Sequence, residues 1–344
     1  MTRIPTDEHR SSVSRSWSLG ESPWQDLPSP GAAAARVIID NDFAGDPDDL
    51  YQLIHHLLSP GVEIRAVIGS HLREGDGFYP GADSATQAVA IVHDVFARIG
   101  LTSTEVIVEG SNLPLGDRAT PQPSPAVDAI ITEALRTDTD TPLYYVAGGG
   151  LTDLASAVLT EPRISERLTV VWIGGNEHDD LALPPPDAMP IEYNLLIDVR
   201  AAQVVFTDSE LVLWQVPRDV YRQCLVSDAE LRRRVAATGP VGRYLYDETA
   251  VITHADRPGP GAPETYALGD SPLVLLTALR SHFEADTSSS RHLVRPTPAL
   301  EDDGSYTARP DARPMRVYTQ VDTRLMFEDM FLKLQELDAW LSTP

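Results

Sequence analysis

Short β-rich runs alternate with longer helical stretches from Arg36 onward, the pattern of a parallel sheet with helices on both faces. The strands predicted are Val37–Asp42, Ile64–Ser70, Val106–Glu109, Leu143–Ala147, Thr169–Ile173 and Leu211–Gln215. Between them, Leu50, Leu53, Ile54, Leu57 and Leu58 fall at helical spacing and make one apolar stripe. Ser84–Ile99, Pro125–Leu135, Leu151–Leu159, Val199–Phe206 and Ser271–Phe283 continue the helical series. The fold expected is α/β, a mainly parallel central sheet flanked by helices, formed as one domain over residues 36–344. Residues 1–35 mix Ser, Pro, Arg and acidic residues without apolar period and read as a loosely ordered tail. Pro- and Gly-rich loops are expected at Pro184–Pro190, Pro258–Pro263 and Asp302–Pro314, the last long enough to be mobile.

The composition narrows the function. Across 344 residues, 51 acidic side chains oppose 27 basic ones, a formal charge of −24. Such a surface repels phosphate backbones and anionic lipid, so nucleic acid and membrane are not expected partners. No run approaches the roughly 18 apolar residues of a membrane helix, and the tail lacks an export-signal core. One cysteine, Cys224, excludes an internal disulfide framework and a cysteine-based zinc cluster within the chain. A soluble, cytoplasmic protein is expected. The sequence permits a homo-oligomer without requiring one.

The chemistry concentrates in Asp40-Asn41-Asp42-Phe43-Ala44-Gly45-Asp46-Pro47-Asp48-Asp49, where a strand hands over to a helix. Asp40 and Asp42 are expected on one strand face, and the carboxyl end of a parallel strand is where open α/β sheets keep their sites. Capping explains part of the cluster. Asp46 before Pro47 reads as an N-cap, and Asp48 and Asp49 suit a helix's first turn. The rest carries an electrostatic cost, because two charges about 4 Å apart repel by roughly 4 kcal/mol at an effective dielectric near 20. A divalent cation removes that cost, and oxygen-only ligands select a hard ion, calcium before magnesium.

This stretch resembles the amino-terminal aspartate motif of the nucleoside hydrolase family, with two extra residues before the final Asp-Asp pair. Four more segments resemble family motifs in the same order: Val146–Ala155 around Gly148-Gly149-Gly150, then Trp172-Ile173-Gly174-Gly175, then Glu192-Tyr193-Asn194 through Asp198 and Ala201-Ala202, then Gly269-Asp270-Ser271-Pro272-Leu273. The resemblance spans about Arg36 to Leu337. It implies that Asp42, Asp49, the Gly148 carbonyl and Asp270 hold Ca2+, and that Asp48, Glu192 and Asn194 hold ribose hydroxyls. Asp42 would also deprotonate a metal-activated water that attacks the anomeric carbon of a nucleoside or ribosylated relative. The alternatives are a ribose- or nucleoside-binding protein that keeps the metal cage without catalysis, and a hydrolase of another glycoside.

The chain departs from the family pattern on the leaving-group side. Gly269 stands where the family has a histidine often assigned to protonating the departing base. The glycine-asparagine pair expected before Glu192 is replaced by Asn176-Glu177-His178-Asp179-Asp180. His71 and His178, each just past a predicted strand, are the histidines proposed to contact substrate, with His254 in a loop. His55 and His56 flank the first helix's apolar stripe and read as a solvated edge. Tyr221, Tyr244, Tyr246 and Tyr266 are candidates to stack on an aromatic aglycone.

Overall fold

The computed structural model describes residues 15–25, 32–253, 263–281, 283–284 and 287–343. The strands, in chain order, are β1 (Ala35–Asn41), β2 (Val62–Gly69), β3 (Ile107–Glu109), β4 (Leu143–Ala147), β5 (Leu168–Ile173), β6 (Val212–Val216), β7 (Leu225–Ser227), β8 (Thr265–Ala267), β9 (Arg291–Pro296), β10 (Ala299–Leu300), β11 (Tyr306–Thr307) and β12 (Pro314–Gln320). The helices are α1 (Asp48–Leu57), α2 (Ser84–Ile99), α3 (Pro125–Ala134), α4 (Thr152–Thr160), α5 (Tyr193–Ile197), α6 (Val199–Gln203), α7 (Arg218–Tyr221), α8 (Asp228–Glu230), α9 (Gly239–Thr253), α10 (Pro272–Thr277) and α11 (Thr323–Leu341).

Eight strands form the main sheet in the order β3-β2-β1-β4-β5-β6-β12-β9, parallel throughout except for the last pair, β12 and β9. All seven residues of β1 are buried, as expected of a parallel strand covered on both faces. Alternation along the strands divides their side chains between two cores. Val37, Ile39, Val67, Val146 and Val171 pack with α1, α2 and α11 on one face. Ile38, Ile68, Tyr145, Val170 and Trp172 pack with α3, α4 and α6 on the other. The chain leaves β1 for β2 on one side and returns to β4 on the other. The strand order therefore reverses between β1 and β4, and their carboxyl ends open a crevice between connections that diverge.

Several expectations change, among them the helix expected over Ser271–Phe283, which ends at Thr277. Residues 15–25, expected within a loose tail, include Trp17, which is 2% exposed, donates its indole N–H to the Ile99 carbonyl at 2.8 Å and meets Trp24 edge-on at 4.7 Å. Burying the Trp17 indole and half-burying that of Trp24 is favourable enough to dock this segment on the end of α2. His55 and His56 are buried, not solvated, because α11 lies over α1: His55 Nε2 is 2.7 Å from Asp329 Oδ2, and His56 Nε2 is 2.9 Å from Thr277 Oγ1. Inside the loop expected at Asp302–Pro314, Tyr306 and Thr307 form β11 and pair with β10. His254 and most of Pro258–Pro263 lie outside the described residues. Among the described residues, no helix is long and apolar enough to cross a membrane.

Candidate active site

The crevice between β1 and β4 is floored by two turns. After β1 the chain runs through Asp42–Pro47, held down by the buried Phe43 and Ala44, and re-enters regular structure at Asp48. Pro47, not Asp46, takes the position before the helix, and it makes no side-chain cap. The Asp46 carboxylate instead accepts the Tyr266 hydroxyl at 2.7 Å, across from β8. The strand stops at Asn41, so the alternation that would pair Asp40 with Asp42 stops short of Asp42. Asp40 is buried against the Tyr145 hydroxyl, and burial followed by repulsion from Asp153 pushes its carboxyl up to about 8. The second turn follows β4, where Gly148 lies so close to Asp270 that a Cβ at this position would collide with the carboxylate.

Above these turns lies a cavity of about 190 Å³, far beyond the roughly 10–15 Å³ that admits one water. Asp42, Asp46, Asp48, Gly148 and Asp270 line one part of its wall; Glu192, Asn194 and Tyr221 line another. Burial first, then repulsion from the other aspartates, pushes the carboxyls of Asp42, Asp48 and Asp270 well above the ordinary aspartate range. Oδ2 of Asp42 is buried and meets no hydrogen-bond donor among the described residues. Such a group is costly to bury unless a positive charge or a donor meets it. Asp49 stands behind the wall, joined to it through Asn41, whose Nδ2 lies 3.0 Å from Asp49 Oδ1 and 2.8 Å from Asp270 Oδ2. Among the described residues, no group of three His, Cys, Asp or Glu side chains forms a ready-made metal cage; the Asn41 amide sits between two of the carboxylates. The donor set is nonetheless all oxygen, carboxylates with the Gly148 carbonyl, and it suits a hard divalent cation.

Elsewhere on the wall the carboxylate of Glu192 caps α5, accepting from the backbone N–H groups of Asn194 at 3.1 Å and Leu195 at 3.0 Å. Gly175 adds a third backbone donor at 2.8 Å; its φ of 87° and the crowding by Gln215 and Tyr306 both require glycine. Burial, the leading effect, raises the Glu192 carboxyl despite these donors. Asn194 spends its amide hydrogens on the carbonyls of Gly148 at 2.8 Å and Ile173 at 2.9 Å, which fixes its orientation and leaves Oδ1 as its polar face.

The histidines fall elsewhere. His71 is buried, with Nδ1 at the Leu72 carbonyl and Nε2 at Thr152 Oγ1, both at 2.9 Å. His178 stacks on Tyr306 at 4.4 Å and meets Gln215 Oε1 at 2.9 Å. Neither is on the cavity wall, because the loops after β2 and β5 turn each ring toward a polar partner beneath the surface. Of the four tyrosines singled out in the sequence, Tyr221 is on the wall. Tyr244 lies under the Arg98 guanidinium, and Tyr246 donates to Asp228. The aromatic wall also includes Phe78 and Tyr193. Tyr193 sits inside the Glu-Tyr-Asn segment, so its place in the motif was a usable signal; Phe78, in a Gly-rich loop, carried none.

A family model described as "Inosine-uridine preferring nucleoside hydrolase" matches residues 37–328, a span that contains every wall residue. The chain belongs to that family. Among curated relatives, an inosine-uridine preferring nucleoside hydrolase from Leishmania major is 37% identical over 121 residues, which is 35% of either chain. One from Crithidia fasciculata is 36% identical over 112 residues, 31% of this chain and 32% of that protein. The chain thus matches about a third of the length of each of these relatives. Among solved structures, a purine-preferring ribonucleoside hydrolase from Gardnerella vaginalis superposes with a TM-score of 0.64 at 18% identity, covering 88% of this chain and 99% of that one. An inosine-uridine preferring nucleoside hydrolase from Bacillus anthracis gives 0.60 at 17% identity with the same coverage. These structures share the fold, the parallel sheet with flanking helices. In this chain Gly269 lies beside Tyr221, where a Cβ on the glycine would come within 3.3 Å of the ring's Cδ2.

Proposed function

We propose that the protein hydrolyses the N-ribosidic bond of a nucleoside or a ribosylated relative, with Asp42 as the general base. The observation that carries this reading is the Asp42 carboxylate, with a buried oxygen that meets no donor among the described residues, on a cavity wall shared with Asp48, Asp270, Glu192 and Asn194. A general base must be ionised to take a proton; burial, then repulsion from Asp49 and Asp46, raises the Asp42 carboxyl in the cation-free site, and a bound cation would hold it ionised. Asp42 takes a proton from water as the water oxygen bonds to the anomeric carbon. The bond to the nitrogen of the base breaks, and the base leaves as ribose forms. Asp48 and Asp270 place negative charge where the sugar ring becomes positive, which favours an oxocarbenium-like transition state.

Asp42, Asp270 and the Gly148 carbonyl, with Asp49 behind them, are the groups proposed to hold Ca2+. When bound, the cation supplies positive charge that offsets the aspartate cluster and acidifies the attacking water. The aromatic side chains Phe78, Tyr193 and Tyr221 on the wall support an aromatic aglycone. A cytoplasmic setting is in keeping with the buried free thiol of Cys224. Ribose release from a panel of purine, pyrimidine and nicotinamide ribosides, with calcium and with a chelator, tests the proposal. Turnover that needs the cation and vanishes in Asp42→Asn is expected; no release from any riboside would overturn it.

A further inference from the structure

Glu192, the residue that the resemblance assigns to the sugar hydroxyls, is already fully engaged. Oε2 accepts from the backbone N–H groups of Gly175 at 2.8 Å and Leu195 at 3.0 Å. Oε1 accepts from the N–H of Asn194 at 3.1 Å and from the Tyr221 hydroxyl at 2.9 Å. An ionised carboxylate offers about four lone-pair sites, so four donors leave none for a sugar. Three of these donors belong to the turn after β5 and the start of α5, where losing them would undo a helix cap. The fourth is a side chain on the cavity wall, at the last residue of α7.

We propose that the Tyr221 hydroxyl, and not the Glu192 carboxylate, is the acceptor that meets a ribose hydroxyl, with Glu192 as the anchor that aims it. The inference rests on the reading of the cavity as a ribose site. A phenol donates one hydrogen and keeps two lone pairs. Tyr221 gives its hydrogen to Glu192 and retains acceptor capacity, so the contact runs from sugar hydroxyl to phenol oxygen to carboxylate. Burial and the nearby Glu192 charge keep the phenol protonated, and therefore a donor, at any pH the enzyme meets.

Position 269 fits the same arrangement. A Cβ on Gly269 would lie 3.3 Å from Tyr221 Cδ2 and 3.1 Å from Asp48 Oδ2. The first is tighter than ordinary van der Waals contact, and a larger side chain growing from that point would compete with the ring for the wall. Bulk at 221 and none at 269 form one steric unit: the tyrosine occupies space beside the glycine and spends its hydroxyl on the sugar side of the cavity.

The test is calorimetric titration of the full-length, calcium-loaded protein with D-ribose and with its 2-deoxy, 3-deoxy and 5-deoxy forms. Tyr221→Phe keeps the ring against Gly269 and removes only the hydroxyl. Ribose should bind about three- to tenfold more weakly to this variant, the worth of one net hydrogen bond. The wild type should discriminate against one of the deoxy sugars, and Tyr221→Phe should lose that discrimination, which a purely structural role would not move. In a double-mutant cycle, Glu192→Gln and Tyr221→Phe should be non-additive, because they act through one contact. Unchanged or tighter ribose binding in Tyr221→Phe would overturn the inference while leaving the ribose site intact. Absence of ribose binding by the wild type would overturn both.

Discussion

The side-chain nitrogen of Asn41 lies 2.8 Å from Oδ2 of Asp270, a hydrogen bond between residues 229 positions apart. The same amide is 3.0 Å from Asp49 Oδ1 and 3.2 Å from Gln52 Oε1, and its oxygen accepts the Gly148 N–H at 2.8 Å. One buried side chain therefore joins the end of β1, the start of α1, the turn after β4 and the turn before α10. Asn41→Ala strips a donor from two buried carboxylates, while the Gly148 N–H keeps the Asp40 carbonyl at 3.1 Å. At about 1–3 kcal/mol for each unsatisfied group, the variant should lose roughly 3 kcal/mol in urea unfolding. A variant as stable as the parent would show that the amide is dispensable.

Removing a divalent cation should expose the repulsion that raises the carboxyls of Asp42, Asp48 and Asp270. Chelator should lower the melting temperature, and calcium should restore it by mass action, by about 2.7 kcal/mol at a hundredfold excess over the dissociation constant. Magnesium should restore less, because irregular all-oxygen sites suit the larger ion. Melting that ignores chelator and both ions would contradict the cation site.

The sheet core and the aspartate turn were legible in the sequence because each is a local pattern. The six strands expected between Val37 and Gln215 all appear, with ends displaced by up to two residues. What lay beyond them was less legible for particular reasons. β9 is an edge strand with charged and exposed residues, so it shows no alternation. α11 does carry a helical signal, Met326, Met330, Leu334 and Leu337 following Asp322 as cap, and was open to the same spacing argument as α1. The burial of His55 and His56 depends on α11 folding over α1, and the role of Asn41 on an aspartate more than two hundred residues away. Neither has a local signature.

Asp42 and Asp46 sit four residues apart in one turn and should behave differently. Asp42→Asn removes the proposed base and should cost orders of magnitude in kcat. Asp46 accepts a tyrosine hydroxyl from β8 and repels its neighbours, so Asp46→Asn should change stability by no more than about 1 kcal/mol and leave turnover near that of the parent. Steady-state kinetics and unfolding on the same samples give the ranking. The reverse order would move the base to Asp46.

His55 supplies a pH dependence away from the site. Burial, the largest effect, lowers its pKa to about 4 against the pull of Asp329. The unfolded chain then binds a proton near pH 6.5 that the folded chain refuses until about 4. Stability from this group is complete above pH 6.5 and falls as the pH drops toward 4. Between pH 7.5 and 5.5 the loss should be about 1 kcal/mol, and His55→Gln should flatten that part of the profile. An equally steep acid limb in the variant would assign it to other groups.

The leaving group tests what glycine at 269 means for catalysis. General acid catalysis contributes about 100- to 10,000-fold, and it matters most when the departing group is a poor one. The two histidines considered as replacements are held off the cavity, His71 at Thr152 and His178 against Tyr306. Tyr221 is on the wall, but its proton is committed to Glu192. With no histidine among the described residues on the wall to protonate the base, an aglycone that departs readily should be favoured. A nitrophenyl or nicotinamide riboside should react at least 100-fold faster than inosine or uridine. His71→Ala and His178→Ala should leave that ratio unchanged even where they lower stability, because a folding defect reduces both rates alike. A collapse on natural nucleosides alone in either variant would place the acid on that histidine, and would require its loop to bring the ring to the wall when substrate binds.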